Sequence, residues 1–142
     1  NFSFISTKMS WRIIDAKEKY FFEKNSIDEK KYEAYFIIAE NIERMIKGEE
    51  RDLEIWEIIS NAFSFIKKNK NFNGFNNLFN LRFLTQLGYV DFDNKFLNKS
   101  EREIISFLAN SRCWDEMVLT HAIAVQNSLK NIVKNAFELS QL

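Results

Sequence analysis

Phe75-Asn76-Asn77-Leu78-Phe79-Asn80-Leu81-Arg82-Phe83-Leu84-Thr85-Gln86-Leu87-Gly88-Tyr89 is apolar on more than one side. At ~3.6 residues per turn Phe75, Leu78, Phe79, Leu81, Phe83, Leu84 and Leu87 cannot share one stripe, so a helix here must be wrapped by others. The stretch therefore predicts the buried centre of an all-α domain. Gly88 stands where the pattern stops, as the left-handed position just past a helix C-terminus prefers, and Tyr89 follows as the apolar residue that folds back on the last turn. Arg82 is the odd member. A buried guanidinium is rare unless paired, so it either snorkels to an edge or bonds a carboxylate.

Outward from this centre the helices can be read from their spacing. Ser26-Ile27-Asp28-Glu29 is a capping-box pattern and predicts a helix start. Tyr35, Ile38, Ile42 and Met45 then recur at steps of three and four up to about Lys47, and Gly48 ends the run. Leu53, Trp56, Ile59, Phe63 and Ile66 repeat the spacing, which predicts a second helix over 51–68. Residues 69–77 are a polar, Gly-containing joint into the central helix, and residues 90–99 an irregular loop. Ser100-Glu101-Arg102-Glu103 reads as another capping box, opening a helix with Ile104, Ile105, Phe107 and Leu108 inward. Asn110 to Cys113 breaks it. Val118, Ala122, Val125, Leu129, Ile132, Ala136 and Leu139 predict one long closing helix. The expected architecture is a bundle of about five helices around the buried one. Ahead of it, the β-prone runs 2–5 and 11–14 are two strands or one strand and a turn, a strand remnant, with 17–24 a short helix or link.

The chain has 142 residues, one domain's length, and its 46% hydrophobic content argues against disorder. No run approaches the ~20 apolar residues that span a bilayer. Twenty basic and twenty acidic side chains cancel, which lacks the balance of a duplex-DNA binder. Their distribution is uneven: residues 58–90 hold no acid but include Lys67, Lys68, Lys70 and Arg82, whereas residues 15–57 hold most of the carboxylates. One end should be positive. The lone Cys113 leaves no internal disulfide and too few thiols for a four-cysteine zinc site, and fits a reducing, cytoplasmic compartment. A start at Asn1 without a leader reads as a piece of a larger protein.

Chemistry-bearing constellations are sparse. Cys113 and His121 are the only thiol and imidazole and would have to meet to act as nucleophile and base. A buried thiol and a helix-face histidine explain them as well. No Gly-rich phosphate loop and no metal-ligand spacing occurs, so neither an enzyme nor a metal or other cofactor is expected. Asn71-Phe72-Asn73-Gly74-Phe75 beside the lysines could stack bases and hold phosphates, with Phe72 and Lys70 the candidate nucleic-acid contacts. The same residues serve equally as a helix joint with buried rings. The cations could instead meet the carboxylates of an acidic peptide whose apolar end enters a pocket, with Lys67, Lys68, Lys70 and Arg82 as candidates. A dipole-favoured C-terminal turn is the plain alternative for the lysines, and an ion pair for Arg82.

Phe79-x-Leu81-Arg82-Phe83-Leu84-x-x-Leu87-Gly88-Tyr89 resembles the central helix of the helical domain of the RecO family of bacterial recombination mediators. Gly48-Glu49-Glu50-Arg51-Asp52 and Leu129-Lys130-Asn131-Ile132-Val133 are similar to further stretches of it, and Trp11 to Ala16 resembles the last strand of that family's OB-fold. The resemblance runs from Trp11 to the end and implies a strand remnant over 1–16 and a helical domain over 17–142. Many members carry a four-cysteine zinc segment after the Gly-Tyr; residues 90–99 have no cysteine, so the metal is not carried over. The resemblance implies a cytoplasmic DNA-repair mediator that docks the acidic tail of single-stranded DNA-binding protein, with RecR as partner, to support recombinase loading and strand annealing. It implies single-stranded DNA contact mainly through the missing N-terminal part. The rival expectation is a helical protein-interaction module unrelated to DNA.

Overall fold

The computed structural model describes residues 2–6, 11–16, 29–47 and 52–141. Two strands, β1 (Phe2–Ser6) and β2 (Trp11–Ala16), pair antiparallel with a register shift between Ser3 and Phe4. The two β-prone runs are thus both strands, joined as a ribbon. Helices follow in the order α1 (Glu29–Met45), α2 (Leu53–Lys68), α3 (Phe75–Gln86), α4 (Lys99–Asn110), α5 (Glu116–Ala124) and α6 (Gln126–Leu139). The expected starts and stops at 17–28 and 48–51 lie outside the described residues.

The two-sided pattern of α3 has a direct structural counterpart. Phe75, Phe79 and Phe83 face one apolar cluster built with α1 and α2, and Leu78, Leu81 and Leu84 face another built with α4, α5 and α6. All six side chains are fully buried, and α3 touches every other helix. Burial of each phenylalanine contributes about 2–3 kcal/mol, so this one element joins two half-cores that neither set of helices closes alone. Its end is the expected one: Gly88 has φ 80°, its N–H bonds the Thr85 carbonyl, and the Tyr89 N–H reaches back to Leu84. That is a Schellman closure, with Tyr89 packed on the α4–α6 cluster.

Helix α2 starts where Asp52 Oδ1 accepts from the Glu54 and Ile55 N–H groups. Its inward arc is Ile55, Ile58, Ile59, Ala62, Phe65 and Ile66. The predicted stripe ran along the edge of that arc, leaving Leu53 and Trp56 largely exposed. In α1 the buried positions are Ala34, Ile38 and Asn41, and the Asn41 amide donates to Asn80 Oδ1 on α3 at 2.7 Å. A polar side chain is tolerated there because it is bonded.

Three further expectations are corrected. The capping box of α4 is set two residues early: Asn98 Oδ1 accepts from the Glu101 N–H, and Glu101 Oε2 accepts from the Asn98 N–H. Phe107 is half exposed, whereas Ile105, Leu108 and Ala109 point in. The long closing helix is two helices, which raises the number from about five to six among the described residues. Val125 leaves helical geometry (φ −108°, ψ 21°), yet its N–H still bonds His121 and its carbonyl still accepts from Leu129. The steps of three and four keep phase through such a joint, and Leu139 beyond it is half exposed.

Glu101 also links α4 to α6, because Ser128 Oγ donates to its Oε1 at 2.7 Å. The Ser128 bond, and then the Asn98 N–H, hold this carboxyl below the ordinary range. A depressed carboxyl pKa adds stability above the unfolded pKa, which is lost as pH falls through the folded one. Glu101→Gln should therefore lower the Tm at about pH 7, and the gap to the native protein should close below about pH 4, as followed by circular dichroism melts. A gap that persists in acid would assign the effect to helix propensity.

Candidate functional site

The acid-free stretch ends α2 and begins α3, and the turn between them is tightly specified. Asn69 closes α2 by donating both its backbone N–H and its side-chain amide to the Phe65 carbonyl, at 3.1 and 2.9 Å. Asn71 Oδ1 accepts from the Asn73 N–H, and the Phe75 N–H bonds Phe72. Gly74 then takes φ 80°, where a Cβ would lie 3.4 Å from Ile123. This turn holds Lys67, Lys68 and Lys70 on the surface, all exposed.

A fourth cation joins them from α1. Lys31 Nζ donates to the Lys67 carbonyl at 3.3 Å. Tyr35 stacks on Phe63 at 5.3 Å, so the two helices run antiparallel with partners whose numbers sum to 98. That rule brings residue 31 opposite 67, and a hairpin reading of the sequence contained this signal without its being drawn.

Phe72 lies half-buried in the same turn, two residues beyond Lys70. It meets Phe65 and Phe75 edge-on, at 6.1 and 6.4 Å. Phe65 and Phe75 stack at 5.8 Å, and Trp114 packs on both at 5.2 and 5.0 Å. The structure therefore brings Lys70 and Phe72 to one place, with the ring partly committed to the aromatic cluster. Tyr35 shares this end, and burial raises its phenol pKa.

Arg82 is not with them. It is 1% exposed, and neither of its expected arrangements holds. Nε donates to the Leu108 carbonyl at 3.0 Å, Nη2 donates to the Cys113 carbonyl at 2.8 Å, and the guanidinium lies 4.6 Å over Trp114. Leu108 is in the last turn of α4, where carbonyls lack helical partners, so Arg82 caps α4 from the side. Burial first, then Arg112, lowers its pKa to about 10, and it stays charged at neutral pH. It belongs to the scaffold and leaves the peptide-binding set.

Two hollows lie near the other end of α2, which spans roughly 24 Å at 1.5 Å per residue. One of about 140 Å³ is lined by Met45, Lys47, Asp52, Ile55, Trp56 and Leu87 among others, and one of about 430 Å³ by Glu43, Arg44, Met45, Lys47 and Ser140 among others. Cations, carboxylates and an apolar lining adjoin there, which sequence reasoning missed because residues 45–47, 52–56 and 87 meet only through the fold.

Cys113 is exposed in the link between α4 and α5. His121 Nδ1 bonds the Met117 carbonyl at 2.7 Å and must be the donor, and its ring meets Phe107 at 6.5 Å. The structure does not bring thiol and imidazole into a hydrogen bond among the described residues. There too, no three His, Cys, Asp or Glu side chains gather as a metal site, and no helix is long and apolar enough to cross a membrane. No family model, no curated protein and no solved structure matches the chain.

Proposed function

We propose that this chain is the docking part of a RecO-like, non-enzymatic mediator of DNA repair and recombination in the cytoplasm. In this reading its helical domain holds the acidic tail of single-stranded DNA-binding protein, RecR, or both. Recombinase loading and strand annealing follow from bringing those partners together, and no bond is made or broken. Single-stranded DNA is contacted mainly through the OB-like part that precedes it. One observation carries the proposal: an acid-free stretch folds so that Lys67, Lys68 and Lys70 emerge exposed at one end, joined by Lys31 and followed in the same turn by the half-buried Phe72. Clustered ammonium groups recruit carboxylates or phosphates, and the half-buried ring adds an apolar or stacking contact.

The test is fluorescence anisotropy of the chain against a labelled acidic tail peptide and a labelled single-stranded oligonucleotide across a salt series. Lys67→Glu with Lys68→Glu should weaken peptide binding on the order of tenfold and leave helical circular dichroism intact. Loss on Lys47→Glu instead would move the docking site to the Trp56 hollow, where a cation borders an apolar lining. Oligonucleotide affinity should fall steeply with salt if Lys70 and Phe72 contact nucleic acid. Binding to neither probe favours the rival reading, a helical interaction module unrelated to DNA.

A further inference from the structure

Helix α1 turns a second, oppositely charged surface outward. Ala34, Ile38 and Asn41 face the core. At ~100° per residue, Tyr32, Phe36 and Glu43 then fall on the far side. Tyr32 is 66% and Phe36 58% exposed, and a spacing of four residues sets them on successive turns of one side. Scattered exposed aromatics are ordinary, but two on successive turns of the outermost side of a helix make an apolar surface that no helix among the described residues covers.

Among the described residues the charge around the rings is mostly of one sign. Glu29, Glu33, Glu40 and Glu43 are exposed on the same side. Arg44 answers Glu40 at 3.7 Å while lying over Phe137 of α6, which leaves Glu29, Glu33 and Glu43 in excess, and Lys31 reaches α2. Lys30 lies off this side and Lys47 beyond the end of the helix.

We propose that the outer face of α1 is a docking surface for a basic protein segment. The partner's apolar side chains cover Tyr32 and Phe36, and its lysines or arginines meet Glu29, Glu33 and Glu43. Charge complementarity names the occupant, since an acidic or phosphate-bearing partner is repelled here and drawn to the end of α2. This surface goes beyond the proposed function and uses none of its residues. The pairing follows the usual interface pattern, in which a few aromatic anchors carry the affinity and rim charges carry the selectivity.

The test is an isotope-edited NMR titration of the chain with a short amphipathic helical peptide of leucine and lysine, and with its leucine and glutamate counterpart. Only the lysine peptide should shift residues 29–43, whereas the glutamate peptide should act at the end of α2 and leave this face unmoved. Tyr32→Ala or Phe36→Ala should each weaken binding about tenfold. Glu29→Gln, Glu33→Gln and Glu43→Gln together should abolish it. These side chains are exposed, so each variant should keep the native spectrum elsewhere. Absent binding of the lysine peptide, equal binding of the glutamate peptide on this face, lysine-peptide shifts centred on another surface, or affinity unchanged in the variants would overturn the proposal. So would self-association abolished by Phe36→Ala, which assigns the face to a second copy. Contacts from residues 17–28 onto Phe36 in the free chain would assign it to this chain's own segment.

Discussion

Arg82→Met should destabilise the domain by about 3 kcal/mol, although no residue in the protein looks less suited to a core by type. Methionine fills much of the same volume and spares the desolvation of a charge. It leaves the Leu108 carbonyl without its donor in a buried place, worth about 1–3 kcal/mol when orphaned, and the Cys113 carbonyl without its donor in a partly buried one, worth less. The stack on Trp114 adds about 1 kcal/mol more. For a chain of this length the Tm should fall by roughly 10 °C, and urea unfolding gives the free energy directly. Arg82→Lys should recover little, because a single ammonium cannot reproduce the two-point fork to carbonyls five residues apart in sequence. A loss under about 1 kcal/mol in the methionine variant would show that water serves those carbonyls instead.

The same residue marks where sequence reasoning runs out. The central helix was legible because two stripes on one helix require neighbours on both sides, and Gly88 was legible because a positive φ selects glycine. The exposed lysines were legible because the absence of acids over 58–90 survives any folding of that stretch. Arg82's partners were not, because main-chain carbonyls carry no residue signature; which of them are orphaned depends on where α4 ends. The joint at Val125 was hidden because steps of three and four stay in phase across one non-helical residue. The α4 cap was ambiguous because Asn98 with Glu101 and Ser100 with Glu103 satisfy the same pattern, and only the fold selects the first. The hollows beside Trp56 were invisible because three elements build them.

These cases separate what local rules decide from what packing decides, and the two proposed docking surfaces fall on both sides of that line. Lys67, Lys68 and Lys70 lie within one turn of chain, so a sequence can present them together. Lys31 enters only through the antiparallel pairing of α1 with α2. The acidic face of α1 carries its charge in the sequence, whereas its two aromatics differ from core aromatics only by their angle to Ala34 and Ile38. An exposed Phe at helical spacing is indistinguishable from a buried one until the inward direction is known.

Phe79→Ala should cost about 4 kcal/mol, a large part of the 5–15 kcal/mol that holds a domain of this kind together. Phe79 is fully buried, stacked between Phe75 at 6.0 Å and Phe83 at 5.6 Å, one turn away on each side. Truncation opens a cavity in a row of rings that cannot collapse without moving the helix axis. The loss should be directional. Phe79 belongs to the cluster with α1 and α2, whereas Leu78, its neighbour in sequence, belongs to the cluster with α4, α5 and α6. Native-state hydrogen exchange of Phe79→Ala should therefore show α1 and α2 losing protection first, and Leu78→Ala should reverse the order. If both variants lower protection equally throughout, the two clusters open as one unit, and α3 is the shared core of a single cooperative structure. If the order reverses, α3 is a partition, and the α1–α2 hairpin that presents both the lysine cluster and the acidic aromatic face can open by itself while the rest of the bundle stays folded.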